Sequence, residues 1–170
     1  TGTRNTIVGT LAGDAITTGA NNEAFGYGAL TTNILGSRST AIGTAALLTQ
    51  NPASAVDMYN VAVGYDAGLS VTTGQYNTLI GGLAGDALTD ADYNVAIGVS
   101  ALGVDTLGSR SVAIGYSALE AQNFTSATDT YNTAVGHKAG AAITTGIQNT
   151  FVGGLAGDAT DDGSYNVAVG

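Results

Sequence analysis

NVAIGVSALGVDTLGSR, residues 94–110, is one period of the chain. Its opening phrase is asparagine, two residues, an aliphatic and a glycine. The phrase returns at once as SVAIG from Ser111 and precedes itself as NTLIG from Asn77. Followed outward, it starts at Asn5, Asn22, Ser39, Asn60, Asn77, Asn94, Ser111, Asn132, Asn149 and Asn166. The intervals between successive starts are 17, 17, 21, 17, 17, 17, 21, 17 and 17. We number the columns of the repeat from the asparagine or serine, and the coils from Asn5. Column 5 is glycine in all ten copies, and column 8 is alanine in all nine complete ones. Columns 5, 9 and 15 together hold 22 of the 26 glycines. A longer, 72-residue period lies over the short one. LGSRS occurs at Leu35 and Leu107, AGDA at Ala12, Ala84 and Ala156, and the two widened repeats begin at Ser39 and Ser111.

A repeat this short cannot hold a helix pair, which needs about 33 to 47 residues. Glycine in every fifth column would also cost a helix about 1 kcal/mol each time. Columns 1 to 5 alternate as a strand does, with β-branched residues frequent at columns 2 and 4. The chain is therefore expected to be all-β, a parallel β-solenoid or β-roll with one coil per 17-residue repeat and a four-coil, 72-residue superrepeat. A contour of roughly 56 Å per coil suffices for short strands and turns, and nine coils stacked at about 4.8 Å make a rod near 43 Å long. Columns 2 and 4 are expected to face the core. The glycines of columns 5, 9 and 15 are expected at corners or close contacts. Stacking turns column 1 into an asparagine ladder. It turns column 17 into a tyrosine ladder of Tyr59, Tyr76, Tyr93, Tyr131 and Tyr165, interrupted by Arg4, Arg38 and Arg110.

Alanine and glycine bury little area, so a lone roll of this composition is expected to be marginal. Packing the small residues of columns 3 and 5 toward a three-fold axis, in an obligate homotrimer, would compensate. Residues 1–170 form a single repeat array with no atypical capping repeat, which reads as a segment of a longer fibre.

Composition removes other classes. With one proline the glycine does not indicate collagen, and without cysteine there is no disulfide scaffold. A net charge of −9 with four basic residues argues against a nucleic-acid partner. Apolar runs of a few residues argue against membrane insertion, and no signal peptide is visible at the start of the chain.

The N/S-x-A-[IV]-G-x-x-A phrase resembles the head repeats of trimeric autotransporter adhesins. The longer form NTAVGHKAGAAITTGIQNTFVGG, from Asn132, is similar to the repeats of bacteriophage tail fibres. The first resemblance implies a trimeric left-handed parallel β-roll. The second implies a virion tail fibre, in which such repeats often precede an intramolecular chaperone domain. The autotransporter repeat is shorter than this one, which favours the fibre. The function expected is a shaft or head of a phage tail fibre supporting host attachment. The alternative is the head of a bacterial surface adhesin, and an ice- or calcium-binding roll is a more distant one. Partners would be two further copies of the chain and a host-cell receptor or glycan.

No catalytic, cofactor or metal site is expected. The one histidine, His137, stands beside Lys138 in a column that carries neither residue elsewhere, so no enzyme is expected. GGLAGDA at Gly81 and Gly153 partially matches a calcium-roll nonapeptide, but it recurs only once per superrepeat and completes no oxygen cage. Asp14, Asp86 and Asp158 read as turn residues that tolerate special backbone angles, and Asp161 and Asp162 as an acidic cluster with the same reading. The threonines of columns 13 and 14, Thr17 and Thr18, Thr72 and Thr73, Thr144 and Thr145, form a broken ladder. The best candidates for specific binding are the two widened repeats, QNPASAVDMY from Gln50 and QNFTSATDTY from Gln122, with Pro52, Met58, Phe124 and Thr125 as partner-binding loop residues.

Overall fold

The computed structural model describes residues 2–170. It contains strands β1 (Thr6–Val8), β2 (Glu23–Phe25), β3 (Gly36–Ser37), β4 (Thr40–Ile42), β5 (Val56–Asp57), β6 (Val61–Val63), β7 (Thr78–Ile80), β8 (Val95–Ile97), β9 (Gly108–Ser109), β10 (Val112–Ile114), β11 (Thr128–Asp129), β12 (Thr133–Val135), β13 (Thr150–Val152) and β14 (Val167–Val169). Columns 2 to 4 of every repeat form one parallel sheet of ten strands, in the order β1-β2-β4-β6-β7-β8-β10-β12-β13-β14. Each column pairs with itself: Ala24 faces Ala41, and Ala113 faces Ala134. The widened repeats do not shift this register, because Ala41 still pairs with Ala62. The chain is thus a parallel β-solenoid of about ten coils, with no helix among the described residues.

The turns follow from the glycines. In coil 5, Ala84 N–H donates to Gly81 O at 3.3 Å and Leu88 N–H to Gly85 O at 3.2 Å, two tight turns after β7 that recur in coils 1, 3, 7, 8 and 9. Column 5 sits at φ between +126° and +145° in coils 1 to 9, a region open in practice only to glycine. Columns 7, 9 and 17 are left-handed as well, and there the chain accepts other residues, such as Leu83 at 60°, Leu102 at 53° and Tyr76 at 58°. These corners place side-chain-bearing residues in a costly conformation, which persists because hydrogen bonds from coil to coil over-determine it. Asp14, Asp86 and Asp158 lie in these turns as expected, but the left-handed backbone falls at Leu11, Leu83 and Leu155 and at the column 9 glycines, so the aspartates adopt no special backbone angle. Column 15 glycines have no positive φ. They answer to close approach instead, since a Cβ on Gly74 would lie 3.0 Å from Ala91 N and closer still to Ala91 O.

The sheet faces the opposite way from the expectation. Columns 1 and 3 point inward and are buried in the eight inner coils, while columns 2 and 4 are half-buried or exposed throughout. Column 3 alanines meet column 8 alanines in the interior, while the β-branched side chains of columns 2 and 4 stand on the outer face. Column 3 therefore fills the coil's own core and cannot line a three-fold axis, which corrects the expected trimer face.

Core volume is held constant by exchange. Where column 9 is leucine (Leu30, Leu47, Leu102, Leu119), column 12 is polar: Asn33, Gln50, Asp105, Gln122. Where column 9 is glycine, column 12 carries Ile16, Val71, Leu88, Ile143 or Thr160. The large column 3 residues Leu79 and Phe151 lie over glycines. A Cβ on Gly68 or Gly85 would come within 2.7 Å of Leu79, and one on Gly140 within 2.7 Å of Phe151. The core is consequently less thin than its alanine content implies.

Buried asparagines join the coils. Asn94 Oδ1 accepts from Ser111 N–H at 2.8 Å, and Asn94 Nδ2 donates to Gly108 O at 2.9 Å. The same pair of bonds recurs at Asn22, Asn60 and Asn149. Ser39 and Ser111 are too short for this role, and Gln50 and Gln122 supply the missing amide. Asn60 Nδ2 donates to Gln50 Oε1 at 3.0 Å, and Asn132 Nδ2 donates to Gln122 Oε1 at 2.8 Å. Asn94→Ala leaves two buried backbone groups unpaired and is expected to cost about 2 kcal/mol. Thermal unfolding checks this, with exposed Ser54→Ala, whose hydroxyl makes no hydrogen bond among the described residues, as the neutral comparison.

Candidate functional site

The two widened coils depart most from the repeat. Three of the four extra residues lengthen the loop after column 12, and the fourth forms a bulge before column 17. In coil 3, Val56 and Asp57 pair with Gly36 and Ser37. The added Met58 then serves two neighbours, its N–H donating to Ser37 O at 2.9 Å and its carbonyl accepting from Tyr76 N–H at 2.8 Å. In coil 7, Thr130 holds the same place.

Of the residues expected in binding loops, Pro52, Met58 and Phe124 are buried, and Thr125 is exposed. The first three are packing residues: each tucks one end of its loop into the coil. The exposed loop surface belongs to Asn51, Ala53, Ser54 and Ala55 in coil 3, and to Thr125, Ser126 and Ala127 in coil 7.

Behind each loop stands an ion pair that the residue pattern did not reveal. Arg38 Nε lies 3.0 Å from Asp57 Oδ1, and Arg110 Nε lies 3.0 Å from Asp129 Oδ1. The available signal was the LGSRS phrase, which places an arginine one coil before each insertion. Asp129 beside it raises the pKa of the Arg110 guanidinium, first through their hydrogen bond.

These arginines continue the tyrosine ladder and do not interrupt it. The Arg38 guanidinium lies 5.5 Å from the Tyr59 ring centre, Tyr59 stacks on Tyr76 at 5.4 Å, and Tyr76 stacks on Tyr93 at 4.8 Å with parallel rings. Arg110 lies 4.7 Å from Tyr93 and 5.9 Å from Tyr131. Six consecutive coils thus form one rail, whose ring faces are occupied by each other and whose edges meet solvent. Asp92 supports it: Asp92 Oδ1 accepts from Gln75 N–H at 2.7 Å, and burial pushes its carboxyl pKa up against the pull of that bond.

The ladder, the loop and the neighbouring coil border an open groove of about 570 Å³ lined by Ser37, Ala55, Val56, Asp57, Tyr59, Gln75 and Tyr76.

Elsewhere the expected features resolve as follows. His137 is exposed and stacks on Tyr116 at 5.4 Å, with Lys138 exposed beside it. Among the described residues no group of three His, Cys, Asp or Glu side chains could hold a metal ion. Thr17 Oγ1 donates to Ile34 O at 3.2 Å and Thr72 Oγ1 to Thr89 O at 3.3 Å, so these hydroxyls bond to the next coil.

The fold defines the chain as a parallel β-solenoid with two widened, loop-bearing coils. No protein-family model, curated protein or solved structure matches it.

Proposed function

We propose that the chain is a structural segment of a trimeric fibre, a stiff shaft or head of bacteriophage tail-fibre type that supports host attachment. The observation that carries this reading is the outer face of the ten-stranded sheet. Column 4 places Val8, Phe25, Ile42, Val63, Ile80, Ile97, Ile114, Val135, Val152 and Val169 in register along the rod, unpartnered by any other part of the described chain. Val8 is 53% exposed and Ile80 37% exposed. Column 2 adds threonine and valine, with Glu23 the sole charge. At about 4.8 Å per coil the strip is roughly 43 Å long. A contiguous apolar strip of this length marks an interaction surface. An identical copy offers the matching periodicity, because only another roll repeats at the coil spacing. Three strips facing one axis bury all of them at once.

In this reading the 72-residue, four-coil unit is the unit of growth, and the widened coil places one loop per unit on the rod. The place of action is a virion tail fibre. The second reading, the head of a bacterial surface adhesin, rests on the short N/S-x-A-[IV]-G-x-x-A phrase.

Two tests apply. Inserting one further four-coil unit is expected to lengthen the rod by about 19 Å in electron images, four coils at the sheet spacing. An unchanged length contradicts the shaft. Shortening both loops at 53–55 and 125–127 is expected to abolish attachment to the host cell while leaving the rod intact, and unchanged attachment contradicts the loop role.

A further inference from the structure

We infer that the groove between the coil 3 loop and the tyrosine rail is a binding site for a neutral carbohydrate. At about 570 Å³ it falls within the ordinary size of a small-molecule site. Its floor is made of the exposed edges of Tyr59 and Tyr76, and one wall carries Ala55 and Val56. The polar groups decide the ligand class. Arg38 does not line the groove: its Nε pairs with Asp57 at 3.0 Å, a second guanidinium nitrogen donates to the Tyr59 hydroxyl at 2.8 Å, and its plane covers the Tyr59 ring. The Asp57 charge is met by the same contact. The groove therefore presents neither a free cation for an anion nor a free carboxylate charge for a cation.

What remains is a set of neutral-ligand contacts. Among the described residues, no intramolecular hydrogen bond occupies the Gln75 carboxamide, the Tyr76 hydroxyl or Asp57 Oδ2. Together they offer two amide donors, a hydroxyl that both donates and accepts, and carbonyl and carboxylate acceptors. Such a mixture beside aromatic edges suits a ligand dense in hydroxyls with apolar C–H faces between them. A sugar has that surface, and a peptide or a lipid does not. The groove lies at columns 15 to 17, separated from the column 2 and 4 strip by the left-handed corner at column 17, so assembly through that strip leaves it on another face.

The sequence contains its own control. One superrepeat further on, Ser109, Arg110, Asp129 and Tyr131 repeat Ser37, Arg38, Asp57 and Tyr59, but Ile147 and Gln148 replace Gln75 and Tyr76. The coil 7 loop thus keeps the ion pair but has an apolar side chain in place of the Gln75 carboxamide and no ring in place of Tyr76. One site per chain is expected.

The site gives the attachment reading a ligand class and rests on it for its biological purpose, but the two fail separately. Rod length reads the fibre, and sugar binding reads the groove. The test is saturation-transfer NMR on the full chain with maltotriose, cellotriose and chitotriose at millimolar concentration. Transfer to at least one of them is expected. Gln75→Ile, which leaves the tyrosine stack intact, is expected to weaken binding about tenfold. The double change Gln75→Ile with Tyr76→Gln is expected to abolish it, with circular dichroism confirming the fold. The reciprocal graft, Ile147→Gln with Gln148→Tyr, is expected to create a second site. No transfer to any of the three sugars, or transfer unaltered by Gln75→Ile, overturns the proposal.

Discussion

Gly81→Ala is expected to destabilise the roll by about 4 kcal/mol, while Gly82→Ala, one residue on, is expected to be neutral or slightly stabilising. The two glycines differ only in what the stack demands of them. Gly81 sits at φ +133°, and a Cβ there would lie 2.6 Å from both the carbonyl carbon and oxygen of Gly98 in the next coil. The obstacle is backbone, so no side-chain rotation relieves it. Either the alanine adopts a conformation costing about 1–3 kcal/mol or the coils separate and lose ladder bonds. Gly82 has ordinary φ and only Tyr65 O at 3.9 Å. Chemical denaturation of the two variants measures the difference directly. Equal effects would show that column 5 glycines are not required by coil contact.

The second large effect concerns assembly. Ile80→Asp is expected to eliminate the proposed trimer, and Ile80→Val to preserve it. Ile80 lies on the outer face of the sheet, 37% exposed in the single chain, where one coil tolerates a carboxylate. At a three-fold axis the same substitution brings three like charges together out of water, and burying even one unpaired charge costs several kcal/mol. Sedimentation of the two variants reads this as mass. In the assembling form the unfolding midpoint also rises with protein concentration, a dependence that Ile80→Asp is expected to remove.

Much of the fold was legible because period and strand alternation are written in residue identity. The spacing of Asn60, Asn77 and Asn94 fixes the coil, and Gly64, Gly81 and Gly98 fix its first corner. The face of the sheet was not legible by the usual rule that β-branched residues point inward. That rule fails here because column 3 alanines fill the core against column 8 and the column 9 and 12 side chains, and because an asparagine whose N–H₂ and C=O are both bonded can be buried beside them. Nor does the glycine pattern of column 9 alone reveal its exchange with column 12. Leu102 with Asp105, against Gly85 with Leu88, shows that the two columns share one volume. At the site, Tyr59, Tyr76 and Tyr93 were legible as a ladder. The partners of Arg38 and Arg110 were not, since Asp57 and Asp129 reach them only after a bulge that shifts their column. Pro52, Met58 and Phe124 stood out by rarity, and rarity pointed to the residues that anchor the loops. The hydrogen-bonding wall at Gln75 lies in the following coil, beyond the loop that draws attention to it.

The mass of the unaltered chain in solution tests the trimer most directly. Sedimentation equilibrium is expected to give three times the 16.7 kDa of one chain, with the β signature of a folded roll. A folded species at 16.7 kDa, stable on dilution, would contradict the fibre assembly proposed for the outer sheet face.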